Sequence, residues 1–167
     1  MKETATIAII IPALNPDKRM VTFVKALREA TAEPLVIVND GSKPECEEFF
    51  DALHEVPDCT VLRHAVNLGK GRALKDAFNH CLNVFPQLLG VVTADADGQH
   101  AVEDVLACMD KMREQPQALV MGCRNFDDAG IPARSRFGNK TTRQVFRFLC
   151  GIRVSDTQTG LRGISAD

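Results

Sequence analysis

Short, continuously apolar, β-branched runs alternate with amphipathic stretches along this chain, and that alternation constrains the fold more than any single motif. Ile7 to Pro12 is unbroken by polar residues, so it suits a strand buried on both faces. Asn15-Pro16-Asp17 ends it. Met20, Val21, Val24, Leu27 and Thr31 then recur at helical spacing. Leu35 to Val38 reads as a second buried strand. A helix is expected from about Glu45 to His54, and a short strand near Thr60 to Leu62. The next helix opens at Asn67-Leu68-Gly69-Lys70-Gly71 and shows an apolar face of Leu74, Ala77, Phe78, Cys81 and Leu82. Leu88 to Thr93 is a fourth strand. Val102, Val105, Leu106, Met109 and Met112 mark a further helix, and Ala118 to Met121 a fifth strand. Residues 124–135 read as a loop, and a last helix is expected from about Asn139 to Cys150.

Five strand–helix alternations call for a mostly parallel sheet with helices on both faces, joined by right-handed connections. The 167 residues contain no internal repeat or linker, so the expectation is one α/β domain over 1–167. In such sheets, ligands bind beyond the carboxyl ends of the strands. The polar residues that break periodicity collect there: Asn15, Asp40, Asp95, Asp97 and Arg124.

Asp95-Ala96-Asp97-Gly98-Gln99 is the sharpest of these features. Two carboxylates at i and i+2 past an apolar strand can share one hard cation, and Gln99 adds a third oxygen. An all-oxygen set suits Mg²⁺ or Mn²⁺ and leaves positions for phosphate oxygens. A polar turn that caps the following helix would use the same residues. Asp40, in Asn39-Asp40-Gly41-Ser42, could accept from a nucleobase or ribose, or close an Asx-turn. Lys70 opens a helix between two glycines, where backbone N–H groups favour phosphate; a plain helix start reads the same way. This segment is neither a Walker A loop nor a GxGxxG turn.

Charge narrows the partners. The net charge is -2, and neither Trp nor Tyr is present, so a general nucleic-acid binder is not expected. The balance is uneven, because basic residues outnumber acidic ones between Arg124 and Arg153. Arg136, Lys140, Arg143 and Arg147 follow at spacings of four, three and four, one face of a helix. Such a stripe could meet a diphosphate or anionic lipid headgroups, or simply face water. Six cysteines show no CxxC pair and no zinc spacing with the four histidines. They read as reduced thiols in a cytoplasmic protein, at most at the inner face of a membrane. His54, His64 and His80 read as structural, while His100 lies close to the acidic cluster in sequence.

Five segments occur in one order: Ile10-Ile11-Pro12-Ala13-Leu14-Asn15, Val36-Ile37-Val38-Asn39-Asp40-Gly41-Ser42, Asn67-Leu68-Gly69-Lys70-Gly71, Asp95-Ala96-Asp97-Gly98-Gln99-His100, and Asp156-Thr157-Gln158-Thr159-Gly160-Leu161-Arg162-Gly163. Together they resemble the inverting glycosyltransferases of family 2, and most of all the dolichyl- or polyprenyl-phosphate sugar transferases. The resemblance implies a GT-A, Rossmann-like fold and a nucleotide-diphosphate sugar donor such as UDP-glucose or GDP-mannose. It implies that Pro12, Leu14, Asn15 and Val38 line the base and ribose pocket, with Asp40 on the base and Lys70 near the nucleotide. Asp95 and Ala96 would approach the ribose and diphosphate. Asp97 and Gln99 would hold the metal, and Arg124 and Arg136 would pair with the diphosphate or sugar. The chain departs from the family pattern at Pro16-Asp17, Asn39 and Gly98. Relatives usually continue past the segment that ends here at Asp167, so the resemblance implies the N-terminal part of a longer catalytic domain.

The expected reaction is attack on the sugar C1 from the face opposite the leaving diphosphate, with inversion. A lipid phosphate acceptor is mostly dianionic at neutral pH, since phosphate esters have a second pKa of about 6, and it needs no strong base. A hydroxyl acceptor needs one, and Asp156 is the candidate. Three other classes share parts of this pattern. A haloacid-dehalogenase-like phosphatase carries its Asp-x-Asp after the first strand rather than the fourth. A sugar nucleotidyltransferase has a glycine-rich signature that residues 12–17 lack. A non-catalytic nucleotide-sugar-binding module fits the short chain.

Overall fold

The computed structural model describes residues 5–123 and 159–167. The expected loop at 124–135 and helix at 139–150 lie outside them, as do Arg124, Arg136, Lys140, Arg143, Arg147 and Asp156. Six strands form one sheet: β1 (Thr6–Ala13), β2 (Leu35–Asp40), β3 (Cys59–His64), β4 (Leu88–Thr93), β5 (Val120–Met121) and β6 (Arg162–Ser165). The spatial order is β3-β2-β1-β4-β6-β5. β1 pairs in parallel with β2 and β4, and β2 with β3. The sheet is therefore mostly parallel, as expected.

β1 is the centre. Ile7, Ala8, Ile9, Ile10 and Ile11 have no exposed surface. Successive side chains alternate between faces. Ile7, Ile9 and Ile11 pack with Met20, Phe23, Val24 and Leu27 of α1 (Lys18–Ala30), and with Val105, Met109 and Met112 of α4 (Val102–Glu114). Ala8 and Ile10 face the other way, onto Ala73, Ala77 and Cys81 of α3 (Lys70–Val84). Each fully buried isoleucine contributes about 1.5–3 kcal/mol over exposure, so neither face can be left open to water. That places helices on both faces.

Three elements differ from expectation. The helix after β2 is shorter. It is a 3₁₀ turn at Pro44–Cys46 followed by α2 (Glu47–Asp51), because its only fully buried side chain is Phe50. On α3 the buried stripe is Ala73, Ala77 and Cys81, and Leu82 is half exposed. β5 keeps only two residues: the Ala118 N–H donates to the Gln115 carbonyl in a turn, and Leu119 points into water.

β6 is the strand the apolar pattern did not reveal. It runs antiparallel between β4 and β5, pairing Gly90 with Ser165 and Val92 with Gly163. Four residues with a single isoleucine carry too weak a signal. The junction has room for a hydrogen and nothing larger. A Cβ on Gly90 would overlap the Ile164 carbonyl and sit 2.7 Å from Met112 Cε.

All five cysteines among the described residues are free thiols. Burial pushes Cys59, Cys81 and Cys108 each up to about 11, so they stay protonated and act as small core side chains.

Gly90→Ala is expected to destabilise the protein by about 1–3 kcal/mol, because the clash is with backbone that cannot yield. Urea unfolding checks it. A loss below about 0.5 kcal/mol would show that β6 does not approach β4 this closely.

Candidate functional site

Four parallel strands end on one edge of the sheet, and the loops that leave them meet there. Asn15 follows β1 with a positive φ of 49°. Its N–H donates to Ser42 Oγ at 2.9 Å, and its Oδ1 accepts from the Lys43 N–H at 2.9 Å. The loops after β1 and β2 are thereby stitched together. Pro12 is half-buried at the end of β1, opposite Val38, which is fully buried; Leu14 is exposed on the rim. Asp17 caps α1 by accepting from the Arg19 N–H at 2.8 Å.

Asp40 is held inside the protein. It is the last residue of β2 and is 3% exposed. Its Oδ1 accepts from the Leu68 N–H at 2.9 Å and lies 2.7 Å from His64 Nδ1. Its Oδ2 accepts from the Gly69 N–H at 2.9 Å. Burial opposes ionisation, but the hydrogen bonds from His64, Leu68 and Gly69 outweigh it and hold the carboxyl below its usual range. The carboxylate faces the protein, and it clamps the turn that leads into α3. Asn39 closes the loop after β2, by accepting from the Ser42 N–H at 2.9 Å.

The helix that leaves this turn begins at Lys70. The Lys70 ammonium meets Asp95 Oδ1, so the residues after β3 and β4 are joined by an ion pair at the rim. His100 Nε2 lies 3.5 Å from Asp95 Oδ2. Hydrogen bonding from His100, then from Lys70, drives the Asp95 carboxyl far below its ordinary value against its partial burial. The Lys70 ammonium thus offsets the mutual repulsion expected for neighbouring carboxylates.

Asp97 does not cap α4, which begins after Ala101 without a side-chain cap. Its Oδ1 instead accepts from the Gln99 N–H at 3.0 Å, closing a tight turn. Asp95, Asp97, Gln99 and His100 all line one cavity of about 460 Å³. Ala96 lies between the two carboxylates, half-buried. No group of three or more His, Cys, Asp or Glu side chains gathers in a metal-holding arrangement among the described residues. Two carboxylates and an amide oxygen remain. That set is hard and incomplete, and it fits Mg²⁺ or Mn²⁺ shared with a phosphorylated ligand.

The opposite wall of the cavity comes from a segment whose site role the sequence left blank. Thr159, Gly160 and Leu161 fold back against Asp95. Thr93 Oγ1 donates to the Gly160 carbonyl at 2.8 Å. Any Cβ on Gly160 would overlap the Asp95 carboxylate. Asp104 and Lys111 of α4 also reach this cavity, and no sequence signal marks them apart from ordinary helix-surface charges.

A family model described as Glycosyl transferase family 2 matches residues 8–165. The chain is 28% identical to a UDP-N-acetylglucosamine–dolichyl-phosphate N-acetylglucosaminyltransferase of Methanococcus voltae, over 95% of this chain and 69% of that protein. It is 28% identical to a dolichyl-phosphate beta-glucosyltransferase of Trichomonas vaginalis, over 93% of this chain and 52% of the relative. A polyprenol monophosphomannose synthase of Mycolicibacterium smegmatis is 26% identical, over 97% and 62%. The chain thus spans roughly half to two thirds of the length of these relatives. Among solved structures, glucosyl-3-phosphoglycerate synthase from Mycobacterium tuberculosis, in complex with Mn²⁺, UDP and phosphoglyceric acid, superposes with a TM-score of 0.70. It is 18% identical and covers 97% of this chain and 56% of that one. The likeness shows the fold, which is the GT-A arrangement.

The depressed carboxyl of Asp95 has a testable sign. Its folded pKa lies below the unfolded value of about 3.9, so the unfolded state binds the extra proton in that interval. The stability it contributes is present above about pH 4 and is lost as pH falls toward the folded value. Asp95→Asn is expected to flatten the acid limb of the stability curve below about pH 4, as read by chemical unfolding at several pH values. An acid limb as steep as the wild type's would remove Asp95 as its source.

Proposed function

This chain belongs to glycosyl transferase family 2, and we propose that it serves to move a hexose from a nucleotide-diphosphate sugar to a polyprenyl phosphate. The observation that carries the donor half is that Asp95, Asp97 and Gln99 line one cavity, with the Lys70 ammonium against Asp95. An oxygen-only set beside a lysine is what a divalent cation and a diphosphate together require. Relatives that are named for dolichyl or polyprenol phosphate as acceptor support the acceptor half.

In this reading, Asp95, Asp97 and Gln99 hold Mg²⁺ or Mn²⁺, which would supply charge stabilisation for the departing diphosphate. Lys70 lies beside them and donates to a phosphate oxygen. Pro12, Leu14, Asn15 and Val38 form the rim toward the base and ribose. Asp40 acts on the base side through the turn it clamps rather than through its own buried oxygens. Arg124 and Arg136 are proposed partners of the diphosphate or sugar, from sequence alone. The acceptor attacks C1 on the face away from the leaving group, so configuration inverts. A lipid phosphate acts as its own nucleophile as a dianion. With a saccharide hydroxyl as acceptor, Asp156 would take the proton.

No helix among the described residues is long and apolar enough to cross a membrane. From its charge and spacing, the basic stripe of Arg136, Lys140, Arg143 and Arg147 is the proposed contact with a lipid-borne acceptor.

Two experiments test this reading. Calorimetry of UDP and GDP, each with Mn²⁺, is expected to show metal-dependent binding of one of them. Asp97→Asn should weaken it by about tenfold or more while the fold is kept. Equal affinity in both proteins, with and without Mn²⁺, would count against the metal site. Replacing Lys140, Arg143 and Arg147 together by Gln should cut binding to phosphatidylserine vesicles, at about 1 kcal/mol per basic residue that faces the lipid. Vesicle binding that stays the same would end the membrane role of the stripe.

A further inference from the structure

We infer that His64 is a positioning residue for Lys70: it locks the turn from which α3 starts. Its consequence for nucleotide affinity rests on the donor reading above, whereas its hold on the turn does not.

His64 ends β3, in register with Asp40 at the end of β2. Its side chain is 9% exposed. Nδ1 lies 2.7 Å from Asp40 Oδ1, and Nε2 lies 3.1 Å from Asp76 Oδ2. Asp76 Oδ2 also accepts from Arg72 Nε at 2.8 Å. The groups that face the ring are therefore Asp40 from β2, and Asp76 with its partner Arg72 from α3. A neutral imidazole carries one N–H and would turn a lone pair toward one of the two carboxylates. A doubly protonated ring donates to both.

The two bonds straddle the start of α3. On one side the ring holds Asp40, whose oxygens accept from the Leu68 and Gly69 N–H groups just before the helix. On the other side it holds Asp76, in the second turn of the helix. Lys70 lies between these anchors, and its ammonium reaches Asp95. The turn is not held by burying its own side chains: Val66 is 61% exposed and Leu68 51%. Polar anchoring through Asp40 ties it to β2, beside the Asn67 Oδ1 that also accepts from the Gly69 N–H at 2.9 Å, and His64 is the only side chain among the described residues that shares Asp40 with the Leu68 and Gly69 amides.

Two substitutions separate the anchors. His64→Asn keeps a donor where Nδ1 was and loses the bond to Asp76. His64→Gln keeps a donor near Nε2 and loses the bond to Asp40. Leu53→Ala, in the core beyond the end of α2, serves as a control that lowers stability away from the turn. The first measurement is amide hydrogen exchange at Leu68 and Gly69 relative to Ile9 in the whole chain. His64→Gln is expected to speed exchange at both amides by about tenfold, with His64→Asn close to wild type and the Leu53→Ala ratio unchanged. The second is affinity for whichever of Mn²⁺–UDP or Mn²⁺–GDP the wild type binds. His64→Gln should weaken it by about tenfold, and His64→Asn should restore it to within about threefold.

Wild-type exchange at Leu68 and Gly69 in His64→Gln would overturn the inference. So would a His64→Asn variant as impaired as His64→Gln, because the route through Asp40 would then be wrong. Loosened exchange with unchanged nucleotide affinity would limit His64 to the fold and refute the link to the donor site. If the wild type binds neither nucleotide, the donor reading fails, and the exchange data alone still decide whether His64 holds the turn.

Discussion

Everything in this molecule follows from β1 having no side that can face water. Ile7 to Ile11 are fully buried, and their side chains alternate between the two faces. A strand in that position needs a hydrogen-bonded neighbour on each edge and a helix layer over each face. β2 and β4 supply the edges in parallel, α1 and α4 cover one face, and α3 covers the other. Parallel neighbours require crossover connections, so every strand of this set ends on the same edge. The strand ends and connections that carry Asn15, Asp40, Lys70 and Asp95 therefore gather on that edge.

A rim built this way gathers carboxylates, and the structure neutralises them in two ways. Asp40 is buried and tied to two backbone N–H groups and an imidazole, so its charge is satisfied inside the protein. Asp95 lines the cavity, and its partners are the exposed ammonium of Lys70 and the His100 ring. Backbone and buried partners make a fixed joint. An exposed lysine is a partner that an incoming cation or phosphate can replace, since surface ion pairs are worth about 1 kcal/mol or less. The two aspartates therefore look alike in sequence but are held differently, Asp40 by backbone N–H groups and a buried ring and Asp95 by an exposed lysine and His100 beside a cavity.

The parts legible in advance were those written in contiguous residues. Leu88–Thr93 is a strand at the boundaries its apolar run predicts, and the Met20–Val24–Leu27 stripe is buried on α1. The placement of Asp95 and Asp97 on one cavity wall was also readable, because their spacing after a strand leaves few alternatives. What escaped was written in pairs of distant residues. The partners of Asp40 are of this kind, since nothing nearby shows that Leu68, Gly69 and His64 converge on it across 24 to 29 positions. Gly160 carried no site signal, although its missing side chain is what lets the chain pass against the Asp95 carboxylate.

The amino-acid sequence alone determined the fold class, the strand edge on which chemistry collects, and the oxygen character of the acidic pair. Those depend on local periodicity and on which side-chain atoms are present, and both are properties of short segments. Only the tertiary structure decided which carboxylate is locked by backbone and which is paired at the rim, and that the Thr159–Leu161 segment leading into β6 lines the cavity. Those outcomes depend on which groups exclude water from one another once the chain has folded, and no short stretch of residues contains that information.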